Sequence, residues 1–137
     1  MYLVDTNVWL ERLLDQEKSG IVGRFLDAVP SEQLSITDFA FHSIGISLRH
    51  LKRLDLLLQF VRDAFVEGDV VFVHLAPEDT ERLVRVMNQF GLDFDDAYQY
   101  VAASKHALTL VSFDNDFDRT DRGRKTPGEA LASYSSG

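Results

Sequence analysis

Four short apolar runs, spaced along the chain and separated by stretches of helical periodicity, constrain this sequence most. Tyr2-Leu3-Val4 stops at Asp5, Leu34-Ser35-Ile36 stops at Thr37, Val70-Val71-Phe72-Val73 lies within 69–75, and Leu108-Thr109-Leu110-Val111 stops at Ser112. Each reads as a strand, the third with high β propensity. Between them Thr6 or Asn7 can cap a helix carrying Val8, Trp9, Leu13 and Leu14. A break at Lys18-Ser19-Gly20 precedes a short helix with Ile21, Phe25 and Leu26, and Thr37 opens a helix through Phe41, Ile44, Ile46 and Leu48. The segment 51–66 continues helical after a bend. Pro77, at a first helical position, starts a helix that Gly91 ends, and 93–105 forms the next. The tail after the fourth strand is loop plus one short helix. Short apolar strands alternating with helices argue for an α/β fold with a parallel sheet. With no repeat, low-complexity tract or linker, residues 1–137 read as a single domain long enough to bury a core.

Composition bounds the partners more loosely. The net charge of −8 argues against broad electrostatic binding of nucleic acid, which relies on Lys and Arg neutralising phosphates. It leaves a nuclease open, because clustered acids can hold a metal ion that reverses the local sign. The chain has no cysteine, which excludes disulfides and thiolate metal sites and is compatible with a reducing cytoplasm. No apolar run approaches the roughly 20 residues needed to span a bilayer, and the N-terminus lacks a basic start followed by a long apolar stretch. A cytoplasmic protein with no membrane partner is the expectation.

The acids are where chemistry concentrates. Ser112-Phe113-Asp114-Asn115-Asp116-Phe117-Asp118 sets three carboxylates within five positions directly after the fourth strand. Like charges repel by about 4 kcal/mol per pair at roughly 4 Å in an effective dielectric near ~20, so the acids either splay into water or surround something positive. Ligands gather beyond the carboxyl ends of parallel strands. Asp5 follows the first strand, Asp114 the fourth, and Asp96 starts the helix leading into the fourth. If the first and fourth strands are neighbours, Asp5, Asp96, Asp114 and Asp116 converge, and such an all-oxygen site suits Mg²⁺ or Mn²⁺. Plainer roles compete with this reading. Asp5 can cap the helix that follows it, Asp93 and Asp95 suit an N-cap and a first-turn acid, Asp38 suits a helix dipole, and Asp118 reads as a solvated loop acid.

Three segments together resemble the PIN-domain family of metal-dependent ribonucleases: Val4-Asp5-Thr6-Asn7-Val8-Trp9-Leu10, Asp96-Ala97 with Ala102-Ala103, and Leu110-Val111-Ser112-Phe113-Asp114-Asn115-Asp116-Phe117. In length and strand–helix order the chain is most similar to the small VapC-like toxins of type II toxin–antitoxin pairs. The resemblance implies an α/β/α sandwich, its short, mainly parallel central sheet surrounded by helices. It implies that Asp5, Asp96 and Asp114 bind one or two Mg²⁺ or Mn²⁺, with Asp116 as auxiliary catalytic acid and Thr6, Asn7 and Ser112 in support. It also implies hydrolysis of RNA phosphodiesters by an activated water, a cognate antitoxin protein as partner, and a homodimer.

One position departs from the family pattern. Ser43 stands where the family usually places a glutamate early in the helix after the second strand, and serine cannot supply that charge. His42, with Asp38 four residues before it on the same helix face, is the candidate substitute, set against a surface histidine paired with Asp38. The departure leaves a catalytically degenerate PIN-like module that binds RNA or protein as the second reading. A receiver-like phosphoryl-transfer domain ranks below both, because Lys105 precedes the fourth strand where that chemistry wants a lysine after a later one. Arg119, Arg122, Arg124 and Lys125 follow the acidic motif and are candidates for phosphate or partner contact, as is the cluster Arg49, His50, Lys52 and Arg53. The stretch 51–61 is more apolar than one buried helix face requires, so it either packs in the core or meets an antitoxin helix or second copy.

Overall fold

The computed structural model describes residues 1–136. Strands β1 (Tyr2–Val4), β2 (Leu34–Thr37), β3 (Val71–Val73) and β4 (Thr109–Val111) form one sheet in the order β3-β2-β1-β4, every pairing parallel. Helices α1 (Thr6–Leu13), α2 (Ser19–Ala28), α3 (Asp38–His50), α4 (Leu54–Val61), α5 (Thr80–Phe90), α6 (Phe94–Lys105) and α7 (Pro127–Ser136) surround it. Tyr2 lies beside Leu34 on one side and Thr109 on the other. That register brings the carboxyl ends of β1, β2 and β4 to one edge, where Asp5, Asp38 and Ser112 begin the following segments.

The apolar runs read as continuous because both sheet faces are buried. Alternation divides them: Val4, Ile36 and Val111 point into a core with Val8, Trp9, Val22, Phe25, Ile44 and Phe60, from α1–α4. Leu3, Val73 and Leu110 point into the opposite core, with Leu83 and Val86 of α5, Val101 and Ala102 of α6, and Phe117. The outer edge of β4 is not left open. Lys125 N–H donates to Leu110 O, and its carbonyl accepts from Ser112 N–H, so the tail covers an edge that would otherwise present bare backbone groups.

Two elements differ from the sequence expectation. Ser19 and Gly20, expected as a break, are the first residues of α2, because the Arg12 guanidinium donates to both the carbonyl and the hydroxyl of Ser19 (3.3 and 3.1 Å). The guanidinium lies so close to Gly23 that a Cβ there would approach it to 2.7 Å. The 51–66 segment bends at Lys52, whose φ is positive, and after α4 widens into a π turn over Arg62–Val66. Gly68 closes that turn; an added Cβ would meet the Asp63 and Ala64 carbonyls at 2.7 and 2.8 Å, which only glycine avoids. Gly91, at φ 65°, caps α5 in the left-handed region as expected. Of α4 only Phe60 is fully buried; Leu54 and Leu58 face outward, Leu58 with 71% of its surface exposed. Among the described residues no helix is long and apolar enough to cross a membrane.

Candidate metal centre

Asp5 is the best-supported acid in the molecule. Its Oδ1 accepts from its own helix at Thr6 N–H (2.9 Å) and from Gln99 Nε2 of α6 (2.9 Å), and its Oδ2 accepts from Ser112 Oγ after β4 (2.7 Å). These partners are themselves held. Thr37 Oγ1 at the end of β2 accepts from Ala40 N–H and donates to Gln99 Oε1 (2.7 Å), which turns the amide nitrogen of Gln99 toward Asp5. Ser112 Oγ accepts from Asp114 N–H (2.9 Å) and Asn7 Nδ2 (3.4 Å), while Asn7 Oδ1 accepts from Phe113 N–H. One bonded chain thus runs from β2 through β1 to the loop after β4. Burial pushes the Asp5 carboxyl above its usual range; the bonds from Ser112, Gln99 and Thr6 oppose that rise and nearby Asp114 adds to it.

Asp96, Asp114 and Asp116 form a second and different layer. A carboxylate oxygen from each can be chosen so that all three lie within 4.8 Å of one another. Their positions come from caps. Asp93 caps α6 by accepting from Asp96 N–H, and Asp114 caps the 3₁₀ turn Asn115–Arg119 by accepting from Asp116 N–H, both at 2.9 Å. Burial first, then the charges of Asp114, Asp93, Asp5 and Asp116, push Asp96 up to about 7. The only cation paired with this layer, among the described residues, is Arg119, 3.2 Å from Asp116, whose side chain stays half exposed. Asp96 and Asp114 face each other with no positive side chain between them.

The donor set fits a hard divalent cation. All donors are oxygens, the repulsion between Asp96 and Asp114 is uncompensated, and these two border an open cavity of about 290 Å³ lined also by Asp5, Thr6, Asn7 and Asp95. The Thr6 hydroxyl is buried without a protein partner, which suits a bound water or ligand.

The family model of the PIN domain matches residues 2–123. This chain belongs to the PIN-domain family. Its PIN fold is shared by a toxin–antitoxin complex from Klebsiella pneumoniae, with a TM-score of 0.72 at 22% identity over 93% of this chain and 98% of that one. FitAcB from Neisseria gonorrhoeae is similar at a TM-score of 0.73 and 21% identity, over 93% and 98% of the two chains. So is a structure of FitAB bound to a DNA fragment, at 0.76 and 18%, over 93% and 96%. No curated protein sequence matches the chain at a significant level.

Within this PIN domain the acids named from the sequence gather at one sheet edge. Asp5, expected as a ligand, lines the cavity with Asp96 and Asp114, and Asp116, expected as auxiliary, comes within 4.8 Å of those two. Ser43 lines the cavity. His42 is exposed and is not among the lining residues, and Asp38 accepts from Tyr98 Oη (2.7 Å) and Phe39 N–H, with no bond to His42. The basic tail is largely engaged: Arg122 donates to Leu108 O, Arg124 pairs with Asp118 and donates to Ser112 O, and Lys125 donates to Ser133 Oγ. Gln99 and Thr37 were missed. The available signal was a glutamine inside an otherwise apolar helix face, one turn after Asp96.

Proposed function

We propose that this PIN domain is a Mg²⁺- or Mn²⁺-dependent endoribonuclease and the toxin of a toxin–antitoxin pair acting in the cytoplasm. The observation that carries the reading is the convergence of Asp96, Asp114 and Asp116, with the repulsion at Asp96 left standing. A bound Mg²⁺ or Mn²⁺, held by these three acids, would lower the pKa of a water and stabilise charge on the attacking and leaving oxygens. The protein's own part is positional. Asp5, fixed by Thr6, Gln99 and Ser112, holds the negative floor of the cavity, and Ser112 fixes the backbone of Asp114 in turn. The Thr6 hydroxyl and the Asn7 amide on the cavity wall orient water against an RNA phosphodiester. Arg119, half exposed beside Asp116, would be the basic residue that meets the substrate, while Arg122, Arg124 and Lys125 would act through the backbone and side chains they hold.

Outward-facing Leu54 and Leu58 support an antitoxin or a second copy covering α4, and the toxin–antitoxin complex with the same fold supports the antitoxin. The test is cleavage of RNA by purified, antitoxin-free protein with Mn²⁺, with Mg²⁺ and with EDTA, alongside an Asp5→Asn/Asp96→Asn variant. Cleavage that needs metal and is lost in the variant is the expected result. Absence of both cleavage and metal binding would overturn it in favour of a silent binding module, for which Ser43 in the cavity is the structural reason.

A further inference from the structure

The corner between α3 and α4 is basic in an otherwise acidic protein. Arg49, His50 and Lys52, together with Leu54, line an open depression of about 530 Å³. None of these three basic side chains has a carboxylate within ion-pairing distance among the described residues; Arg53, next in the chain, is paired with Asp55 at 3.0 Å. Acids outnumber Lys and Arg by 22 to 14, so these cations are not unpaired for lack of acids elsewhere. The carbonyl end of α3 explains Arg49 and His50, which sit in its last turn. It does not explain Lys52, which lies beyond the helix at φ 59°, a left-handed position that glycine takes most readily. Apolar surface adjoins the depression. Leu51 and Leu54 are about half exposed, and Leu58, one turn after Leu54 on α4, is mostly exposed.

We infer that this corner docks an acidic amphipathic helix of another protein, with apolar side chains against Leu54 and Leu58 and carboxylates at Arg49 and Lys52. The inference rests on the reading that a partner covers α4, and it decides between the two occupants named there. A second copy seated across a two-fold axis would set this face against itself, Arg49 and Lys52 against the same cations. A nucleic acid would satisfy the cations and leave the leucines in water. A flat anionic bilayer would not fill a depression, and it would repel the rest of a chain whose net charge is −8. An amphipathic helix presents apolar and charged side chains in neighbouring stripes, which is the pattern of this corner. The corner also stands apart from the metal centre. Phe39 and Ser43 of α3 line the acidic cavity, and the helix ends at His50, about 10 Å beyond Ser43 along its axis at ~1.5 Å per residue.

The test uses the full chain and two fluorescein-labelled helical peptides with the same leucine pattern, one flanked by glutamates and the other by lysines. Anisotropy is read with metal-free wild type, Arg49→Glu/Lys52→Glu and Leu58→Ser. All three positions are exposed, so circular dichroism should show the proteins folded alike. The chain's net charge favours the lysine peptide everywhere else on the surface, which makes the expected preference a sharp one. The wild type should bind the glutamate peptide at least about tenfold more tightly than the lysine peptide, and salt should weaken that binding. The preference should reverse in Arg49→Glu/Lys52→Glu, and Leu58→Ser should weaken the glutamate peptide by about three- to tenfold. Tighter binding of the lysine peptide by the wild type, or no loss in either variant, would overturn the inference. So would a dimer that Leu58→Ser dissociates in sedimentation, which gives the face to a second copy, or displacement of the peptide by single-stranded RNA. Cleavage of RNA with Mn²⁺ is scored separately on the same preparations. Glutamate-peptide binding by a chain that cleaves no RNA would uphold this face while the ribonuclease reading falls.

Discussion

Asp5 and Asp96 are both acids at the same sheet edge, and the protein treats them in opposite ways. Asp5 is 8% exposed and receives three donors from three elements. Asp96 is half-buried, accepts no bond from a protein donor, and faces Asp114, Asp93, Asp5 and Asp116. Burial raises both carboxyls, but at Asp5 three donors oppose the rise, whereas at Asp96 the neighbouring acids add to it. The contrast separates the frame of the site from its working face, although both are built from the same residue type.

The largest expected effect breaks the frame. Gln99→Leu leaves Asp5 Oδ1 short of a donor and the Thr37 hydroxyl without its acceptor, both buried. Unfolding in urea should show a loss of about 2–4 kcal/mol, one unsatisfied group costing roughly 1–3 and a buried acid more. A loss near zero would mean that the bonded chain from Thr37 to Ser112 does not hold the frame.

A smaller effect of opposite sign is expected at the working face. Asp96 carries a folded-state pKa of about 7, above the unfolded value near ~3.9, so the folded protein keeps that proton to higher pH. Its contribution to stability is complete below the unfolded value and is lost as pH rises toward about 7. In metal-free protein Asp96→Asn should therefore stabilise by roughly 1–2 kcal/mol at pH near ~8, after discounting for solvent screening, and by almost nothing near pH ~4. Thermal unfolding across that pH range measures it. A stabilisation independent of pH would remove the repulsion from the account.

How much of this was legible follows the distance between partners. Strands ending at Asp5, Thr37 and Ser112 are local patterns, and so are the caps at Asp93 and Asp114, where residue type and the next turn decide. The parallel order is readable once helices separate the strands. The Thr37–Gln99–Asp5–Ser112 chain is not, because its links join residues 62, 94 and 107 positions apart. For the same reason the sequence does not show that Asp116 comes within 4.8 Å of Asp96 and Asp114, or that an amide and a hydroxyl bind Asp5. Ser19 joins α2 through Arg12 from the neighbouring helix, and the basic tail is held by carbonyls of β4 and its flanking residues that sequence spacing does not reveal.

Calorimetric titration of the purified chain with Mn²⁺ decides whether Asp96, Asp114 and Asp116 hold a divalent cation, as proposed. Near pH ~6.5 Asp96 still holds its proton in the metal-free protein, so binding should release it. The apparent enthalpy should then change with the ionisation enthalpy of the buffer, and the binding should vanish in both Asp96→Asn and Asp114→Asn. Binding that survives both substitutions, or no binding at all by the wild type, would contradict the account.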